Sequence, residues 1–281
     1  MNGILIINKE KNYTSRDIVN IIGKILGTKK IGHTGTLDPI ATGVLVLCIG
    51  KSLKLVELLT NHDKEYIATL KLGIETDTLD ITGTILKKEE VSKISKEEVE
   101  KVLKTFIGKI EQEVPKYSAI KVNGKKLYDY ARKGEEVVLP KRKIEIYDLQ
   151  LISMVNDEIK IKCHVSKGTY IRSLIRDIGH ALNTYATMIE LERTKLGKFN
   201  LQDAYSIKDI ENSNYKLLSP LEVLDLPKIT VDKTLEKKVK NGQVLPSFFK
   251  SNMAFILNEE GDLLSIYQSK DKELVKPYRM F

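Results

Sequence analysis

Apolar residues recur at helical spacing behind Ser15, at Ile18, Val19, Ile21, Ile22, Ile25 and Leu26, and Gly27 follows them. The spacing predicts an amphipathic helix capped at Ser15 and stopped at the glycine. The stretch KKIGHTGTLDPIATGVLVLCIG sets Gly32, Gly35, Gly43 and Pro39 before an apolar run at 44–49, which predicts irregular backbone leading into a short buried strand. Tyr66, Ala68, Leu70 and Leu72 alternate with Glu65, Ile67, Thr69 and Lys71, the period of a strand. Ser95 with Glu98 three residues on, then Val99, Val102, Leu103 and Phe106, predicts a capping box and a helix closed by Gly108. Ile159, Ile161, Cys163 and Val165 form a further alternating strand, Lys167 and Gly168 turn the chain, and Ile171, Leu174, Ile175, Ile178 and Leu182 return to helical spacing. A strand end, a turn and a helix start therefore meet at Tyr170 and Arg172, the kind of junction on which sites are built. Residues 224–227 (LDLP) read as a linker, followed by a Lys-rich helix near 235–239 and a hairpin of MAFIL, NEEGD and LLSIYQ. Strands and helices mix without regular βαβ alternation or internal repeat, so the expected class is α+β with a mixed or antiparallel sheet and a small β-rich C-terminal module.

Composition adds limits. A chain of 281 residues with 42% hydrophobic content can fill a sizeable core. Its longest apolar run is far short of the roughly 20 residues that span a bilayer, and its first residues lack a signal-peptide pattern, so a soluble cytoplasmic protein is expected. Cys48 and Cys163 stand alone without a CxxC, against a disulfide framework and for a reducing compartment. The net charge is +8, and residues 116–143 hold nine basic residues against three acidic ones. Tyr117, Tyr128 and Tyr130 interleave with those bases, as loop or single-stranded RNA binding favours, although composition fits a solvated lysine-rich face equally well.

His33, His62, His164 and His180 show no metal-ligand spacing, and neither GxxxxGK[ST] nor a strand-borne GxGxxG occurs, so neither a metal nor a nucleotide cofactor is expected. The remaining chemistry lies with Asp, Arg and Tyr. Asp38 leads, because the glycines of GHTGTLDPIATG allow close backbone approach and Pro39 fixes the next φ angle. By spacing alone the same aspartate could merely turn the loop.

KKIGHTGTLDPIATGVLVLCIG, DKEYIATLKLGIETDTLDITG, YSAIKVNGKKLYDYAR and GTYIRSLIRDIG occur in order within residues 3–200 and resemble the TruB family of tRNA pseudouridine synthases. The tail, with NGQVL and GDLLSIY, resembles the family's PUA-like RNA-binding module. The resemblance implies a pseudouridine synthase catalytic domain at 1–227 with an RNA-gripping insertion at about 110–143, and the PUA-like module at 228–281. It also implies isomerisation of uridine to pseudouridine at position 55 in the T loop of tRNA, on a flipped-out nucleotide. The expected enzyme is a monomer needing no cofactor, metal or protein partner.

Carried over residue by residue, Asp38 matches the catalytic aspartate and Arg172 the arginine that pairs with and orients it. Tyr66 in KEYIA matches the tyrosine that stacks on the target base and is the candidate for handling the C5 proton; Tyr170 matches a second wall of the uracil pocket. Leu191 in MIELERT takes the apolar pocket position, on an expected helix, and His33 the place of a histidine supporting the flipped-out loop. Asp80 matches an acidic position near the RNA, while Asp77 is expected to order its turn. Lys9 matches the lysine of a Lys-Pro pair, and Lys121, Lys125, Lys126 and Lys133 are expected RNA contacts of the basic segment. Glu10, Val114 and Glu192 depart from the family's usual proline, proline and arginine, which touches peripheral RNA contacts only. Whether the carboxylate adds to C6, attacks C1′ or abstracts a ribose proton stays open.

Three other readings compete. An idle RNA-binding module would have no need of Asp38, Arg172, Tyr66 and Tyr170 together. A guide-RNA-dependent synthase subunit fits less well with the basic insertion and short tail. A glycoside hydrolase would require a second carboxylate in a comparable setting.

Overall fold

The structure is a computed structural model describing residues 1–281. Strand β1 (Gly3–Lys9) shows why the chain builds in layers. Leu5 and Ile7 point to one face of the sheet and Ile4 and Ile6 to the other, and all four are buried, so both faces must be covered. The remaining long elements are α1 (Ser15–Ile25), β2 (Thr42–Ile49), β3 (Lys64–Leu72), α2 (Lys96–Thr105), β4 (Gly108–Glu113), α3 (Leu127–Arg132), β5 (Lys141–Val155), β6 (Glu158–Val165), α4 (Ile171–Ala181) and β7 (Ala186–Leu196). The strands form one mixed sheet in the order β1-β2-β7-β3-β6-β5-β4, and every neighbouring pair along it is antiparallel except β2 with β7.

Helices α1, α2 and α4 bury Ile18, Ile22, Val99, Leu103, Leu174, Ile175 and Ile178 in one cluster with Leu5, Ile7, Leu45, Leu47 and Ala68. The opposite face carries Ile4, Ile6, Val44, Val46 and Cys48, covered by Leu55, Leu59, Phe199 and Val223 and by Phe255 and Ile266 from the tail. That tail is a five-stranded sheet built mainly from Lys228–Thr230, Met253–Leu257, Leu263–Ser269 and Leu274–Met280, around its own cluster of Val231, Val239, Leu245, Ile256, Tyr267 and Val275. The α+β class with a β-rich C-terminal module is what the periodicity implies.

Three local expectations change. The cap of α1 is Thr14, whose hydroxyl accepts from Asp17 N while the Asp17 carboxylate accepts from Thr14 N. Ser15 is instead buried, and its hydroxyl accepts from Leu37 N at 2.8 Å and lies 3.2 Å from Leu37 O, tying α1 to the loop that holds Asp38. Leu191 lies on the central strand β7, not on a helix. The basic segment leaves the sheet only over 114–140, because 108–113 and 141–155 pair as β4 and β5; Val114 N donates to Pro140 O at its neck. Within it lie a two-residue hairpin (Lys121–Val122 with Lys125–Lys126) and α3.

Candidate active site

The sheet's one parallel junction fixes the site. There Gly43 pairs with Arg193, and a Cβ on Gly43, whose φ is +97°, would stand 2.3 Å from Arg193 O. Only glycine lets β2 and β7 approach this closely. The loop ahead of β2 therefore lies over the ends of β3 and β7 and beside the start of α4. The resulting cleft, about 850 Å³, is lined among others by Asp38, Tyr66, Tyr170, Arg172, Leu191 and Arg193.

Arg172, two residues inside α4, is almost wholly buried, and its guanidinium forks onto Asp38: Nε to Oδ2 at 3.0 Å and Nη2 to Oδ1 at 3.2 Å. The same guanidinium donates to Thr78 O at 2.9 Å and Tyr117 O at 3.1 Å, and Asp80 Oδ2 lies 3.8 Å away. One planar group thus joins the Asp38 loop, the 77–84 turn and the base of the 114–140 flap, a geometry that a lysine could not reproduce. Asp38 keeps about a third of its side-chain surface open to the cleft.

Tyr66 is buried on β3, and burial raises its phenol pKa against the lowering effect of Arg193. It is therefore a neutral ring at physiological pH, suited to stacking; the phenolate that abstraction of a C5 proton would require is disfavoured. Tyr170 caps α4 through its backbone, and Leu191 is a buried wall on β7.

Two contributors escaped the sequence reading. Arg193 is 1% exposed and donates to Val44 O at 2.7 Å and Gly35 O at 3.2 Å, which pins the GHTGTLDP loop against the parallel junction. The RT of MIELERT gave no sign of this inward charge. Gln112 on β4 is also 1% exposed; its Oε1 accepts from Tyr170 N at 2.8 Å and its Nε2 donates to Tyr170 O at 3.1 Å. Its setting in an alternating polar strand hid it.

Other expected site residues take different places. Lys9 is fully buried, and its ammonium donates to the carbonyls of Glu10 (2.9 Å), Tyr13 (2.6 Å) and Pro39 (3.3 Å), with burial lowering its pKa to about 8. With its hydrogens spent on backbone beside Asp38, it braces the loop and is not placed to meet RNA. Asp80 is buried too: its carboxylate accepts from Thr78 Oγ1 and Thr82 N, each at 3.0 Å, and faces Arg172, so it supports the arginine from behind. Asp77 orders its turn by accepting from Thr84 N at 2.8 Å, and additionally holds Tyr117 Oη at 3.0 Å. His33 accepts from Gly35 N at 3.3 Å through Nδ1, and burial lowers its pKa. In the flap, Lys125 is paired with Glu135 and lies over the Tyr130 ring, and Lys126 donates to Tyr128 Oη at 3.0 Å; Lys121 and Lys133 are exposed and form no ion pair.

The fold is that of the pseudouridine synthases. It superposes on a chain of the structure described as an H/ACA RNP bound to a substrate RNA containing 2′-deoxyuridine, with a TM-score of 0.72 at 23% identity over 99% of this chain and 84% of that one. A Cbf5-Nop10-Gar1 complex gives 0.72 at 23% over 98% and 83%. At this identity the likeness concerns fold.

The sequence comparisons narrow the class. Residues 23–171 match the description "TruB family pseudouridylate synthase (N terminal domain)" and residues 172–224 match "tRNA pseudouridylate synthase B C-terminal domain". Proteins called tRNA pseudouridine synthase B from Clostridium tetani and Oceanobacillus iheyensis are each 44% identical, covering 95% and 100% of this chain and 92% and 98% of their own lengths. One from Fusobacterium nucleatum is 50% identical over 72% of this chain and 70% of its own. The chain belongs to the TruB family of pseudouridylate synthases.

Proposed function

We propose that this chain isomerises uridine to pseudouridine at position 55 in the T loop of tRNA, with Asp38 acting directly on a flipped-out nucleotide. The observation that carries the reading is the forked Asp38–Arg172 pair inside a cleft walled by Tyr66, Tyr170 and Leu191. The tRNA substrate is supported by the names of relatives that match along nearly the whole chain.

The chemistry breaks N1–C1′, turns the uracil and forms C5–C1′; C5 loses a proton and N1 gains one, so no co-reactant is consumed. Arg172 holds the Asp38 carboxylate in one orientation, which suits addition to C6, attack at C1′ or removal of a ribose proton alike. Tyr66 supplies the stacking surface that a base loses on leaving its helix, and Leu191 excludes water. His33 stands beside the loop and, with its pKa lowered, serves as a neutral filler near the displaced nucleotide. Residues 1–227 act as the catalytic unit, the exposed Lys121 and Lys133 of the flap meet RNA phosphates, and 228–281 is an RNA-binding module. The enzyme works as a cytoplasmic monomer without a protein partner.

The test is site-resolved detection of pseudouridine in an unmodified tRNA transcript incubated with the purified protein alone. Asp38→Asn should bind that transcript within a few-fold of wild type and lose turnover by several orders of magnitude. Substantial multiple-turnover activity in Asp38→Asn would sink the assignment of Asp38, and pseudouridine appearing elsewhere than position 55 would sink that of the substrate site.

A further inference from the structure

Lys64, Arg142, Lys143, Lys167 and Arg193 all line the cleft, and none forms an ion pair. Arg193 is occupied by the carbonyls of Val44 and Gly35. Two of the others converge. Lys64 Nζ donates to His62 O at 2.6 Å and Thr60 O at 3.4 Å, while Lys167 Nζ donates to Asn61 Oδ1 at 3.1 Å. Two ammonium groups from distant parts of the chain are thus tethered to one three-residue turn at the cleft wall. Lys64 sits two residues before Tyr66 on β3, so both side chains leave the same face of the strand.

We propose that Lys64 and Lys167 clamp a phosphodiester of the bound RNA next to the target nucleotide, setting its backbone while Tyr66 receives its base. The clamp rests on the reading that RNA fills this cleft. Gathering like charges with no ion pair to either, and only the carboxylate of Asp63 nearby, is unfavourable in the free protein, and a phosphate entering between them removes the repulsion. Lys64 already registers the strain: burial, with Arg193 and Lys167 adding to it and Asp63 opposing, lowers its pKa to about 8. The neighbouring His62 imidazole also has a lowered pKa, chiefly from burial, so it adds no full charge of its own at pH 8. A phosphate would raise the Lys64 pKa again, and binding near pH 8 must then draw a proton from solvent.

The test is calorimetric titration of the full chain with a T-arm stem-loop RNA in two buffers of different ionisation enthalpy, at pH 6.5 and pH 8. Wild type should take up about half a proton at pH 8 and almost none at pH 6.5, as a group with a free-state pKa near 8 requires. Lys64→Arg stays charged at both pH values and should bind well without the uptake. Lys64→Met should lose the uptake and about tenfold in affinity, and Lys167→Met should lower the slope of log affinity against log salt by about 0.7. Wild-type uptake is read without any variant, so a Lys64→Met protein that folds poorly leaves the test intact. Stem-loop that is bound and turned over with no uptake at pH 8, or with an uptake that persists in Lys64→Arg, overturns the clamp and leaves the activity standing. Failure of wild type to bind or modify the stem-loop overturns the functional reading instead.

Discussion

Gln112→Leu is the perturbation that best separates positioning from chemistry. The side chain touches no cleft surface, yet it holds both polar backbone atoms of Tyr170, which opens the helix carrying Arg172. Leucine fills a similar volume and makes neither bond. Tyr170 N then has no acceptor, at a cost of about 1–3 kcal/mol for a buried donor left unpaired, whereas Tyr170 O still accepts from Leu174 N at 3.0 Å and loses only about 1 kcal/mol. The total, about 3 kcal/mol, should lower Tm by roughly 6–12 °C in a chain of this size. Released from β4, the first turn of α4 can shift, and a displacement of about 1 Å at a positioned group costs on the order of a hundredfold in rate. Thermal melting and steady-state kinetics on a tRNA transcript read the two effects, with kcat falling much more than KM rises. Gln112→Glu keeps an acceptor for Tyr170 N but buries a carboxylate with one oxygen against Tyr170 O, so it should be at least as damaging as leucine. A Gln112→Leu enzyme with wild-type Tm and kcat would refute the reasoning.

Changing Lys121, Lys125, Lys126 and Lys133 together to Gln should lower the salt slope of stem-loop binding by about 2.1, the value for three cations, because Lys125 is already neutralised by Glu135 whereas Lys126 donates only to a neutral phenol; a drop near 2.8 would show that Lys125 exchanges Glu135 for RNA. Gly43→Ala should give an unfolded or insoluble protein, since its Cβ collides with Arg193 O; a soluble variant with wild-type Tm would mean that the parallel junction can part. Lys9, with its folded pKa lowered to about 8 from 10.5, binds fewer protons folded than unfolded between those values, so it makes stability rise with pH in that window. Lys9→Met should flatten that rise when urea midpoints at pH 8 and pH 10 are compared, and an unchanged difference would exclude the buried ammonium as its source.

Where periodicity was clean, sequence and structure agree: the helices behind Thr14 and Ser95, the strand of Tyr66 and the tail hairpin all form. The failures share a physical origin, which is charge facing inward. On β7 the inward side reads Leu191 then Arg193, and register shifts flank both, so a central strand carries no alternating pattern. Lys9 and Asp80 look like surface residues in any polarity profile, but one is satisfied by carbonyls and the other by hydroxyls and a backbone N–H beside Arg172. Net charge misled in a related way, because a sum over 116–143 does not reveal that Lys125 is neutralised by Glu135. The Asp38–Arg172 pair joins residues 134 apart, and only the family resemblance put those two together before the geometry did.

Phe255 and Ile266 share an apolar cluster with Ile4 and Ile6 of β1. The ribosome makes β1 first and its cover almost last, about 250 residues later. At roughly 5–20 residues per second, that strand waits from some twelve seconds to most of a minute for the last part of its cover, with only Leu55, Leu59, Phe199 and Val223 arriving sooner. During that interval the nascent chain offers a ready surface to chaperones and to neighbouring nascent chains. A ribosome stalled near codon 240 would release a polypeptide that holds every residue of the cleft and yet is prone to aggregate.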